Sequence, residues 1–153
     1  MGGITAEPLV RPARPADSAE LARLFWRIRQ ECVPAIPMIV HPRESVEPFL
    51  RKQIEDTEVV VAIDAGGTIV GFLALAEPDH LNHLYLAREH TGRGLGARLM
   101  ALAKECFPRG LQLWAFQANT DAIRFYERHG FRQVRWTDGD NDEGAPDVLM
   151  RWP

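Results

Sequence analysis

The order of apolar and polar positions divides the chain into helical and extended stretches. In "DSAELARLFWRIRQECV", Leu21, Leu24, Phe25, Ile28 and Cys32 recur at spacings of three and four, which lays one apolar stripe along a helix. Asp17 or Ser18 would cap its start, with Glu20 or Leu21 in the first turn. Ahead of it, "PLVRPA" (8–13) reads as a short strand. After it, "PAIPMIVHP" carries Pro34, Pro37 and Pro42, a stiff loop before a second short helix over 44–54. Loops of that length in a small domain tend to serve a site. "EVVVAID" and "TIVGFLALAE" are apolar runs parted by "AGG", the pattern of a hairpin. A third run, "HLNHLYLA", follows directly after Pro78 and Asp79. That gap is too short for a parallel crossover, so the three runs predict an antiparallel meander.

Beyond the meander, Leu95, Leu99, Leu102, Ala103 and Cys106 line one face of a helix that ends near Phe107 and Pro108. Then come a strand over 111–116, a helix from about Asn119, a glycine stop at Gly130, a strand from Phe131 and a last strand "VLMRW".

With 153 residues, 46% of them hydrophobic and 25% charged, the chain has the makeup of a single domain, 1–153. A net charge of −3 gives no basic field for nucleic acid or an anionic membrane. No apolar run reaches membrane-spanning length, and "MGGITAEPLVRPARP" lacks the apolar core of a leader. Ala6 stands where a myristoylation signal needs Ser or Thr. The expected compartment is the cytoplasm. Cys32 and Cys106 have no metal-ligand spacing and are expected to be small buried hydrophobes; no metal site is expected.

The candidate chemistry begins at "HTGRGLGARLM" (90–100), which joins the third meander strand to the next helix. A strand, a glycine-rich turn and a helix present unpaired N–H groups and the positive end of the helix dipole to an anion. Glycines also serve simply to turn the chain, so the segment alone supports either reading. Its spacing, Gly92-x-Gly94-x-Gly96, fits neither a P-loop, which needs Lys followed by Ser or Thr, nor a dinucleotide fingerprint. In "LQLWAFQANTDAIRFYERHGFRQVRW", Tyr126 follows Asn119 by seven residues, about 20° round a helix and roughly 10 Å along it. Both can therefore face one bound molecule, although separately Asn119 reads as an N-cap and Tyr126 as core filling.

Together the two segments resemble the GNAT acetyltransferase superfamily. The family's cofactor loop, a strand followed by [Gln/Arg]-x-x-Gly-x-[Gly/Ala] at a helix start, matches "LYLAREHTGRGLGARLM" at Gly94 and Gly96. Its next motif, N-x-x-A-x-x-x-Y-x-x-x-G-F, is present as Asn119, Ala122, Tyr126, Gly130 and Phe131. The likeness covers roughly 8–137. It implies an α+β fold, a mixed and mostly antiparallel central sheet with helices on both faces, and a cleft where "HLYLA" and "LQLWAF" splay apart. Two positions depart from the family. Thr91 stands where Gln or Arg usually begins the loop, and Trp114 stands where several members carry a glutamate base.

What the resemblance implies is transfer of an acetyl group from acetyl-CoA, as co-substrate, directly to a primary amine of a small molecule or peptide. A non-catalytic acyl-CoA-binding regulatory domain is the alternative, favoured by the missing glutamate at Trp114. Tyr126 would hydrogen-bond or protonate the departing thiolate. Leu84, Tyr85 and Leu86 would contact the cofactor through their backbone, a bulge freeing amides near Leu86 for the thioester. Thr91, Gly92, Gly94, Leu95 and Gly96 would hold the pyrophosphate with Arg93 at the rim, and Asn119 the pantetheine arm. For the base, His83 leads among His83, His80, His41 and Glu31, with water as the other choice. Cys106 is an improbable nucleophile. "DGDNDEGAPD" (138–147) fails as a calcium loop, since Glu143 and Leu149 occupy its glycine and final carboxylate positions. If it borders the acceptor channel, its charge favours a cationic amine. The resemblance is compatible with a homodimer, for which no seam is assigned.

Overall fold

The meander forms as its spacing predicts, and the rest of the sheet is added on one side of it. A computed structural model describes residues 7–37, 39 and 41–153. The elements are β1 (Leu9–Pro12), α1 (Ser18–Glu31), α2 (Val46–Asp56), β2 (Glu58–Ile63), β3 (Ile69–Ala76), β4 (His80–Leu86), α3 (Leu95–Cys106), β5 (Leu111–Phe116), α4 (Thr120–Arg128), β6 (Arg132–Trp136) and β7 (Asp147–Trp152). They build one seven-stranded sheet in the order β1-β2-β3-β4-β5-β7-β6. Its neighbours are antiparallel except β4 and β5. The β2–β3 turn is closed by Asp64, whose carboxylate accepts the N–H groups of Gly66 and Thr68 at 2.9 Å each.

Helices cover both faces, which is why β3 is apolar at successive positions rather than alternating ones: Ile69 to Leu75 are all buried. Phe25 of α1 packs against Phe72, His83 and Tyr85. On the opposite face, Gly96 of α3 lies against Leu86 of β4 and Phe125 of α4. Alternation along β4 assigns His83 and Tyr85 to the α1 face and Leu84 and Leu86 to the α3–α4 face.

Four local expectations need correction. Asp17 holds the N-cap position of α1 but does not cap it; its carboxylate turns back to Arg11 and to the Arg14 N–H. The second helix begins at Val46, because a 3-10 turn at Arg43–Ser45 takes up its expected start. The irregularity of β4 lies at Asn82, where Ala74 pairs with His83 and Leu75 with Leu81, rather than near Leu86. Cys106 is exposed and Cys32 half-buried; the buried stripe of α3 runs through Leu95, Leu99, Met100 and Ala103 and has rotated away from Cys106 by the last turn. The expectations for the N-terminus, Ala6 included, and for Met38 and Val40 lie outside the described residues. Among the described residues no helix is long and apolar enough to cross a membrane.

Candidate active site

The parallel strands β4 and β5 make one pair, His80 with Gln112, and then separate. Asp79 secures that contact: its carbonyl accepts the Gln112 N–H at 2.8 Å and its carboxylate the Gln112 side-chain amide at 2.9 Å. Beyond it the strands splay, and a cavity of about 520 Å3 opens between them. The Ala87 N–H donates to the Val70 carbonyl at 2.7 Å, so alternation turns the peptide groups of His83 and Tyr85 towards β3. Those of Leu84 and Leu86 therefore face the gap. The bulge at Asn82 thus sets the phase of the strand and decides which of its amides are left without a β3 partner.

At the wide end lies the glycine loop. Gly92 and Gly94 have φ of 74° and 85°, a left-handed backbone that side chains disfavour, and a Cβ on either would meet nothing within 4 Å. The first helical bond of α3 runs from the Arg98 N–H to the Gly94 carbonyl at 3.0 Å. The amides of Leu95, Gly96 and Ala97 precede it and point from the helix start. Gly96 is bare for a different reason: a Cβ there would stand 3.2 Å from the Phe125 ring, so its absence lets α3 and α4 meet. The Thr91 hydroxyl donates to the Arg88 carbonyl at 2.7 Å and closes the turn leading into the loop.

Across the gap, α4 starts at Asn119, whose side-chain oxygen accepts the Ala122 N–H at 3.4 Å. Asn119 and Tyr126 both line the cavity, as seven-residue spacing allows. The Tyr126 ring is wedged between Phe125 and Phe131, and burial pushes its phenol well above the ordinary value, with Tyr85 adding to the rise. The group stays a neutral donor at working pH.

The α1 face of the cleft is aromatic. His83 sits among Phe25, Phe49, Phe72 and Tyr85, ring centroids 5.7 to 6.0 Å away. Burial, aided by the nearby Arg29 charge, pushes the imidazole down to about 4. Burial likewise raises the Tyr85 phenol, against the opposing pull of Arg29. Because Gln112 pairs with His80, Trp114 two residues on shares this face; it is 38% exposed, with the Arg135 guanidinium 5.3 Å from its ring.

Of the residues singled out from sequence, His83, Leu84, Tyr85, Leu86, Thr91, Gly92, Gly94, Gly96, Asn119 and Tyr126 come together around the cavity. Arg93 is exposed and the Leu95 side chain is turned into the core, so neither side chain lines it. His80, His41 and Glu31 lie off the cavity wall. His80 stands at the closed end of the cleft beside Asp79, His41 pairs with Asp142 at 3.4 Å, and Glu31 pairs with Arg27 at 3.3 Å. The acidic segment is partly consumed by structure: Asp147 is buried against Thr137 and Asn141, and Glu143 reaches Arg29 at 3.6 Å.

Sequence reasoning missed Ile28 and Ile36 on the α1 side of the cavity, Phe125, Arg128 and His129 on α4, and Arg29 beside the wall. A signal existed for Arg29, which falls four residues after Phe25 and three before Cys32, inside the apolar stripe of α1. Among the described residues no group of three or more His, Cys, Asp or Glu is placed to hold a metal ion.

The cleft thus combines free amides, a gap between strands and a half-buried phenol. Residues 19–131 match the acetyltransferase (GNAT) family, and the chain belongs to that family of acetyltransferases. It is 33% identical over 89 residues to the peptidyl-lysine N-acetyltransferase YiaC of Escherichia coli, a match covering 57% of this chain and 58% of that one. With the peptidyl-lysine N-acetyltransferase YjaB of Salmonella typhimurium it shares 28% over 108 residues, 71% of this chain and 72% of that one. Its fold is similar to that of the PaiA N-acetyltransferase of Thermoplasma acidophilum, solved in complex with coenzyme A. The TM-score is 0.74 at 20% identity, covering 95% of this chain and 98% of that one.

Proposed function

We propose that the chain transfers an acetyl group from acetyl-CoA to a primary amine of a small molecule or peptide, working as one domain, 1–153, in the cytoplasm. The observation that carries this reading is the continuity of the cleft, from the amides at the start of α3, past Leu84 and Leu86, to the aromatic α1 face. The donor's pyrophosphate would lie on the backbone of Thr91 to Gly96 with Arg93 at its rim, and its pantetheine arm would run past Asn119 along β4. The thioester carbonyl would then reach the free N–H groups of Leu84 and Leu86, which are fixed before the oxyanion forms. Tyr126 would donate its hydroxyl proton in a hydrogen bond to the leaving sulfur. His83, neutral on the other face, would accept a hydrogen bond from the incoming amine and orient its lone pair.

Two measurements test the reading. Calorimetric titration with acetyl-CoA should show binding that free phosphate does not reproduce and that Gly94→Val abolishes. Incubation with amines should then release free CoA thiol with one acetyl group gained per thiol. Binding without thiol release from any amine would favour the non-catalytic acyl-CoA-binding alternative. Absence of binding would reduce the glycine loop to a tight turn and remove the reading.

A further inference from the structure

Among the described residues, no carboxylate lines the α1 side of the cleft to take the proton of a strongly basic amine. The one carboxylate among the described lining residues is Asp121, which sits in the first turn of α4 on the α3–α4 face. On the α1 face, α1 and the loop after it contribute Ile28, Cys32 and Ile36, and β5 contributes the indole of Trp114. From β4 come His83 and Tyr85, both neutral; α2 adds the ring of Phe49 against His83.

Behind this wall lies a cation. Arg29 is 7% exposed. Its Nη2 donates to the Pro37 carbonyl at 3.1 Å, its contact with Glu143 is long at 3.6 Å, and its buried Nε has no partner. Glu143, on the segment between β6 and β7, is its counter-charge and also acts on the Tyr85 phenol, but it does not line the cavity. An ammonium arriving at His83 would lose water to an apolar wall and approach a buried guanidinium. Both effects favour the uncharged amine.

We propose that the acceptor is a weakly basic amine, of the class of a peptide or amino-acid α-amino group, taken up as the free base in preference to a lysine ε-amine or a polyamine. The proposal rests on the acetyltransferase reading and deepens it. The free amine's lone pair attacks the thioester carbon; the C–N bond forms, the C–S bond breaks, and sulfur leaves with the bonding electrons. The proton shed by the new amide nitrogen ends on that sulfur as CoA thiol. No separate proton acceptor is required, because the amine leaves its ammonium proton in solution before entry.

The test compares two peptides, one with a free α-amine and no lysine, the other N-terminally blocked with one lysine. Rates of thiol release give kcat/KM from pH 6.5 to 10 for the chain of residues 1–153. Ordinary amine pKa values near 8 and 10.4 give the α-amine about a 200-fold larger free-base fraction at pH 7.5, and a preference of about that size is expected. The two profiles should bend at different pH values, each set by its own amine. A bend shared by both peptides would reveal an enzyme base and overturn the proposal, as would equal use of the lysine peptide at pH 7.5. Trp114→Glu, which places a carboxylate on the acceptor face, should shift the ratio towards lysine at least tenfold; an unchanged ratio would also count against it. Loss of acetyl-CoA binding itself would instead bring down the acetyltransferase reading.

Discussion

Burial keeps the Tyr126 phenol protonated throughout the range in which acetyl transfer would be assayed, whereas a free thiol ionises near 8.5. Full proton transfer from such a phenol to the thiolate runs uphill, so the contribution proposed for it is a hydrogen bond that would strengthen as charge builds on sulfur. A hydrogen bond to a charged group is worth about 1.5–3 kcal/mol. Tyr126→Phe should therefore lower kcat by about 10- to 100-fold while the acetyl-CoA dissociation constant, read by calorimetry, moves less than twofold. A matching loss of binding would mean that the ring packs the cleft and does no more. His83 offers a different readout, on stability. Its imidazole is held at about 4, against an ordinary 6.5. Above 6.5 neither folded nor unfolded chain carries the proton, and this contribution to stability is fully present. As pH falls from 6.5 to 4 the unfolded chain takes up a proton that the folded one refuses, and stability is lost, by at most about 3 kcal/mol. His83→Phe, which keeps an aromatic ring among Phe25, Phe49 and Phe72, should shrink the drop in urea midpoint between pH 7 and pH 4.5. An unchanged drop would show that other groups cause it.

At the scale of elements, the glycine-rich turn serves two jobs that share one stretch of sequence. Gly92 and Gly94 turn the chain and leave open space for a ligand, whereas Gly96 is a packing residue between α3 and α4. Gly96→Ala should cost about 1–2 kcal/mol in chemical denaturation, because the new methyl presses on the Phe125 ring. Adding Phe125→Leu should recover part of that loss, and simple additivity of the two changes would refute the steric account. The sequence pattern could not separate these glycines, since a motif records identity and not what stands opposite. The elements were legible where periodicity was long: Leu21, Leu24, Phe25 and Ile28 announce α1, and the three apolar runs announce the meander. The insertion of β7 between β5 and β6 was not, because a strand order with no local signature depends on which edges remain unpaired. Asp17 misled for a related reason. Its N-cap identity is a local signal, and the Arg11 guanidinium that captures it comes from the preceding strand. Of the candidate site, the part formed by the glycine loop and α4 was legible as a cluster of residues because it is built from contiguous motifs. The α1 side was not, because Ile28 and Trp114 reach the cavity from separate elements, and Arg29 finds Glu143, only once the sheet has formed.

For the molecule as a whole, the splay divides the sheet into a four-stranded half, β1 to β4, and a three-stranded half, β5, β7 and β6. The halves meet along the strands at a single pair, His80 with Gln112, supported by Asp79; helical packing such as Gly96 on Phe125 joins them elsewhere. A ligand that spans from the glycine loop to Asn119 would supply cohesion that the hydrogen-bond ladder does not. Acetyl-CoA at about 100 times its dissociation constant should therefore stabilise the fold by about 2.7 kcal/mol, raising Tm by roughly 5–10 °C for a chain of this size. Any tight ligand raises Tm, so the location of the effect is what discriminates. The amides of Leu84 and Leu86 face the gap without a strand partner, and they should exchange hydrogen faster than those of Tyr85 and Ala87 in the free protein. On adding acetyl-CoA they should slow markedly, whereas amides in the well-paired β2–β3 ladder should change little. Uniform protection across the sheet would mean that the ligand acts only by stabilising the global fold. Protection confined to residues 91 to 98 would mean that the nucleotide end binds while the thioester never reaches β4, and a catalytic arrangement built on those two amides would fail.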